Sequence, residues 1–185
     1  MKKILITVFT AVIFLVGGCS HNEQGPTYLH NGKPINLIKL PSKAGLHSEN
    51  TFFTSKVIDG SIGGTLILNE NYQSDSGLVH INCRLQIPKN AFSGSQTLAA
   101  QVDDEFALVD FSPTMTFDKE LKLDLIFTGL NLTGINPSDV NFLYVLPDGS
   151  TQTVQYSELD VDNASGTVLV KDAIITHFSR YVFTR

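Results

Sequence analysis

Leu78-Val79-His80-Ile81-Asn82-Cys83-Arg84-Leu85-Gln86-Ile87 is the stretch that decides the fold. Val79, Ile81, Cys83, Leu85 and Ile87 alternate with His80, Asn82, Arg84 and Gln86. Successive side chains of an extended chain point to opposite faces, so this spacing describes a strand with one dry face and one wet face. Pro88 has no amide hydrogen to give to a ladder and stops the strand. The same period of two runs outward in both directions. Before this stretch lie Phe52 to Ile58, closed by Asp59-Gly60, and Ile62 to Leu68, with Gly63-Gly64 near its start. Adjacent glycines in a strand point to a bulge or a close backbone approach. Asn69 to Gly77 is expected to be a polar loop. After Ile87, residues Pro88 to Gly94 are expected to make one helical turn that plugs Phe92 into the end of the domain.

Candidate strands continue as Gln96 to Val102, Phe106 to Phe111, and the alternating Leu121, Leu123, Leu125 and Phe127. Asn141 to Leu146 is joined to Thr151 to Tyr156 by Asp148-Gly149, a hairpin signal. Thr167 to Val170, Ile174 to Phe178 and Tyr181 to Phe183 complete the series. About ten short strands with regularly spaced turns predict an all-β fold, an antiparallel β-sandwich over residues 51–185. No stretch has the period of a helix of ten or more residues, so a βαβ fold has nowhere to place its crossovers. The chain has no Trp but twelve Phe. Phe52, Phe106, Phe117, Phe127 and Phe142 are the expected core rings, with Phe53 or Phe111 on the wet face. Truncating a buried ring costs about 3–5 kcal/mol.

The N-terminus is of a different kind. Met1-Lys2-Lys3 is a short basic start, and Ile4 to Gly18 is an uncharged, mostly apolar run. The run is short for a bilayer span and has the flanks of a secretory signal. Leu15-Val16-Gly17-Gly18-Cys19 resembles the bacterial lipoprotein box. The resemblance implies removal of residues 1–18 and acylation of Cys19 with fatty-acyl chains such as palmitate. Several chains are needed because one alone binds a membrane only marginally. Ser20, rather than Asp, follows the anchor. In an organism with two membranes the likeness therefore implies the outer one. Residues 19–50 read as a tether rich in turn formers, with a root-mean-square span of about 30 Å as a flexible coil. Within it, Ile35 to Leu40 could be an edge strand, part of the tether or a docking segment.

The 185 residues carry a formal charge of −5, and losing Lys2 and Lys3 makes the remainder more acidic still. Such a chain lacks the basic field that nucleic acid requires. With Cys19 acylated, Cys83 is left alone on an apolar row, where a free cysteine acts as a small hydrophobe. The five histidines, His21, His30, His47, His80 and His177, have no metal-ligand spacing. Asp103-Asp104-Glu105 reads as a solvated turn. Asp160, Asp162 and Asn163 suggest a calcium reading, but the next carboxylate that could join them, Asp172, lies far along the sequence. No metal and no cofactor is expected.

An ordered set of features resembles the ZU-type β-sandwich domain of zonula occludens proteins, netrin receptors and ankyrins, which has bacterial envelope versions. The set is Gly63-Gly64-Thr65-Leu66, Leu85-Gln86-Ile87-Pro88-Lys89-Asn90-Ala91-Phe92, Phe111-Ser112-Pro113, Phe117-Asp118, Leu121-Lys122-Leu123 and His177-Phe178-Ser179-Arg180-Tyr181. The resemblance covers residues 55–185 and implies a structural or protein-binding role without catalysis. Some animal relatives cut themselves within a His-Phe-Ser sequence. By that likeness Ser179 would attack the Phe178 carbonyl of a strained bond while His177 moves the proton. The alternative is that His177 caps a local network, Phe178 is core and Ser179 satisfies an edge. A further alternative is glycan binding on a sheet face, with Tyr72, Tyr144 and Tyr156 as stacking platforms. Expected partners are the membrane, through Cys19, and an envelope protein or glycan.

Overall fold

The computed structural model describes residues 27–44 and 52–185. The expected signal segment and Cys19 lie outside the described residues. The described residues fold as thirteen strands in three antiparallel sheets. β1 (Tyr28–His30) and β2 (Lys33–Ile35) form a hairpin. They are followed by β3 (Phe52–Asp59), β4 (Gly64–Ser74), β5 (Gly77–Ile87), β6 (Ser95–Val102), β7 (Leu108–Ser112) and β8 (Thr116–Thr128). A single 3-10 turn, Pro137–Asp139, precedes β9 (Asn141–Val145) and β10 (Thr151–Thr153). β11 (Glu158–Asp162), β12 (Thr167–His177) and β13 (Arg180–Thr184) end the chain. One sheet has the order β10-β9-β13-β7-β6-β3, and the other has the order β11-β12-β8-β5-β4.

The deciding stretch is β5, a central strand between β4 and β8. Val79, Ile81, Cys83, Leu85 and Ile87 are all buried, as their spacing requires. Both larger sheets feed one apolar cluster: Leu66, Leu85, Leu123 and Val170 come from the five-stranded sheet, and Leu98, Val109, Phe142 and Phe183 from the six-stranded one. At its centre runs a chain of rings. Phe178 stacks on Phe111 at 5.1 Å and meets Phe117 edge-on at 4.8 Å. Phe183 packs on Phe142 at 4.9 Å and meets Phe127 at 6.1 Å. Such pairs add about 0.5–1.5 kcal/mol each beyond area burial. Of the expected core rings, Phe52, Phe127 and Phe142 are buried in this cluster and Phe117 is partly buried against it. Phe106 is buried in a second cluster on the outer side, and Phe111 is core rather than wet-face.

Several local expectations are corrected. Asn69 to Ser74 is strand, not loop: β4 pairs with β5 without interruption from Gly64↔Ile87 to Ser74↔Gly77. The polar Asn69, Asn71 and Gln73 take the outward positions while Tyr72 turns in. Residues 88–94 contain no helical turn, although Phe92 is buried as expected. Asn90 there has φ +62°, which a right-handed turn does not allow. The two strands expected over 167–178 are one, β12, with a bulge between Val170 and Ala173. Asp172, at φ +48°, absorbs the extra residue. The close approach signalled by Gly63-Gly64 is present. A Cβ on Gly63 would lie 2.5 Å from the Ile87 carbonyl oxygen, and its φ is +81°.

Residues 27–44, read from the sequence as tether, are packed onto the domain. Ile38 is fully buried in the main cluster, and Leu37 and Tyr28 sit in the second one with Leu108, Leu143 and Val182. Ile38 donates its amide to Phe183 and accepts at its carbonyl from Ala107. Lys43 rests its ammonium group 4.4 Å from the Phe52 ring centre. Of the readings open for Ile35 to Leu40, the strap that results is closest to an edge segment.

Candidate interaction surface

The His177-Phe178-Ser179 corner carries the chain from the five-stranded to the six-stranded sheet. Its backbone is held by Phe178 N donating to Met115 O at 2.8 Å and Phe111 N donating to Ser179 O at 3.0 Å. The Tyr181 hydroxyl donates to His177 O at 2.7 Å. Ser179 Oγ donates to Val145 O at 3.1 Å. His177 Nδ1 lies 2.9 Å from Thr176 Oγ1, and its ring stands edge-on to Tyr144 at 4.2 Å. Its Nε2 is buried without a hydrogen-bond partner among the described residues, and burial holds the imidazole below the usual histidine value of 6.5. The ring is therefore neutral at pH 7, which suits a nitrogen with nothing to receive its proton. The structure thus puts His177, Phe178 and Ser179 in one corner, but engages His177 with Thr176 and Ser179 with Val145. Phe178 is fully buried.

Beside this corner lies a cleft of about 340 Å³ lined by Tyr28, Asp110, Ser179 and Arg180 among others. Arg180 dominates it. Its Nε donates to Asp110 Oδ1 at 2.8 Å, its Nη2 donates to Asp110 Oδ2 at 2.7 Å, and its Nη1 donates to the Tyr28 hydroxyl. The Asp110 carboxylate makes the guanidinium harder to deprotonate. Three of its five N–H groups are thus engaged, and the Asp110 carboxylate balances its charge in the cleft. The effect is to bind β1 to the sheet.

The three tyrosines do not form a platform. Tyr72 is buried, stacked on Phe52 at 5.5 Å, with its hydroxyl donating to Pro41 O at 2.7 Å. Tyr144 is covered by His177, and Tyr156 alone of the three is exposed. Cys83 is buried, and burial, with a smaller contribution from Asp124, pushes its thiol up to about 12. Such a thiol is not a nucleophile at pH 7. Among the described residues, no group of three His, Cys, Asp or Glu is placed to hold a metal ion. Asp162 accepts from the Ser165 hydroxyl at 2.6 Å and the Ala164 amide at 2.9 Å, which holds its carboxyl below the usual value.

The outer strands differ most. An unpaired strand edge is a template for another chain, and folded proteins cover or charge such edges. β10 is covered by β1: Leu29 donates to Gly149 O at 3.0 Å, and Thr151 Oγ1 donates to Leu29 O at 3.1 Å. β11 carries the exposed carboxylates Glu158, Asp160 and Asp162. β4 is bridged at its far end by Lys43 to Ser74, and its middle shows Asn69, Glu70 and Asn71 beside one exposed apolar residue, Ile67. Among the described residues, β3 pairs with β6 alone, and it puts Phe53 and Val57 in one outward row, 57% and 66% exposed. Lys56 sits in the opposite row, where its ammonium donates to Thr65 O of β4 at 3.0 Å. Composition suggested that Phe53 could face water. Which strand forms an outer edge depends on sheet order, which no local pattern carries. No family model, no curated protein and no solved structure matches the chain.

Proposed function

We propose that this chain is a lipid-anchored envelope protein, acylated on Cys19, whose domain is a ZU-type β-sandwich with a structural or protein-binding role and no catalysis. The six-stranded and five-stranded sheets are its two layers, and the shared apolar cluster between them supports that reading. The β3 edge is the binding element. One observation carries this: among the described residues β10 is bridged by β1, β11 and β4 carry exposed carboxylates, and β3 alone of the outer strands puts two large apolar side chains in one exposed row, with Lys56 in the opposite row. Strand addition gives affinity through main-chain hydrogen bonds and specificity through alternate side chains. The acidic composition supports a partner other than nucleic acid. No cofactor enters this role, and the location is the outer membrane where two membranes exist.

Two measurements test it. Metabolic labelling with an alkyne palmitate should mark the chain and leave Cys19→Ser unmarked; equal labelling of both ends the anchor proposal. A photoreactive phenylalanine in place of Phe53 should yield a discrete adduct with a protein in intact membranes. The same probe in place of Asp160, on the charged β11 edge, should not. Equal adducts from both positions, or none from either, would remove β3 as the binding element.

A further inference from the structure

We infer that the occupant of the β3 edge is a second copy of this chain, paired antiparallel about a two-fold axis at Ser55. The inference rests on the β3 edge being a binding element and names the partner. It follows from register. With the axis at Ser55, Phe53 stands opposite Val57 of the partner subunit, and symmetry makes that contact twice. Aromatic against β-branched is among the favourable cross-strand pairs. Lys56 then stands opposite Thr54 of the partner subunit, so like charges never meet, and its ammonium stays turned toward Thr65 of its own chain.

Charge selects this edge as well. The chain is acidic overall, and copies approaching along β11 would bring Glu158, Asp160 and Asp162 against their own kind. Between Phe52 and Ile58 the β3 edge has no acidic residue. Pairing there extends the six-stranded sheet into one continuous sheet across both copies and leaves no free edge at the junction. Anchoring both copies to one surface by Cys19 raises their effective concentration for such a contact.

The test uses the full, lipid-bearing chain in phospholipid vesicles. Ser55→Cys should be joined to itself by a short bismaleimide, while Thr54→Cys alone should be joined far less and should couple instead to Lys56→Cys in mixed vesicles. In detergent, sedimentation should show a dimer that Val57→Lys weakens by about tenfold or more, since each substitution is felt twice. Equal joining of Ser55→Cys and Thr54→Cys, or an unchanged dimer in Val57→Lys, overturns the register. A monomer with no joined Ser55→Cys overturns the second copy as occupant, including the case in which residues 45–51 lie along this edge. The Phe53 photoadduct then separates the two ideas. An adduct with a different protein keeps β3 as a binding element, and no adduct removes both.

Discussion

The two flanks of the six-stranded sheet are finished in opposite ways. On the β10 side, β1 lies along the edge and Arg180 joins Asp110 to Tyr28; residues 37–44 instead cross from Phe183 and Ala107 to the end of β4, with Ile38 sunk into the core. On the β3 side, Lys43 rests on the Phe52 ring at one end, and beyond it the described residues leave Phe53 and Val57 open in the outward row. The closed flank is held by buried contacts, so it should respond to substitution as an interior does. The open flank should respond as a surface does, and only its association should change.

Three changes in stability sharpen this contrast. Ile38→Ala should cost about 2–5 kcal/mol, the range for truncating a buried aliphatic side chain. Urea unfolding would read it, and a loss below 1 kcal/mol would mean that the strap is not part of the cooperative core. Asp110→Ala should cost about 1 kcal/mol, because the pair is bidentate yet about a third exposed and screened by water. An unchanged midpoint would show that β1 is held without it. Phe53→Ser with Val57→Thr should leave monomer stability within about 0.5 kcal/mol, as for surface positions generally. A larger loss at subunit concentrations below dimerisation would mean that these side chains are buried in the folded chain.

The strands with strict alternation were legible. β5 and the second half of β8, Leu121 to Thr128, each place an apolar row against mostly polar neighbours, and such a row can be buried in one way only. β11 was missed because only Leu159 and Val161 interrupt its carboxylates, and those two are partly buried rather than core. The second half of β4 read as loop because Glu70 breaks its inward row and Asn69, Asn71 and Gln73 are turn formers by composition. Its strand character comes from pairing with β5, which no window on β4 contains. The strap escaped for a related reason. Ile38 is buried by Ala107 and Phe183, both far along the chain, and a single buried residue has no period. The His177-Phe178-Ser179 corner was legible as residues but not as geometry. The sequence could not tell that Ser179 would turn to Val145 and His177 to Thr176.

With the proposed anchor at Cys19, the docking of β1 against the β9–β10 turn would set how high the molecule rides above lipid. The chain enters the fold at Thr27, next to Leu29, whose amide is fixed to Gly149. Eight residue steps of sequence separate Cys19 from Thr27, a span of at most about 29 Å. β3 stands five strand steps beyond β10, or about 24 Å across the sheet. On the proposed anchor, the molecule would be moored by one shoulder with the other free, and two neighbours on the same bilayer could touch free shoulders without straining either mooring.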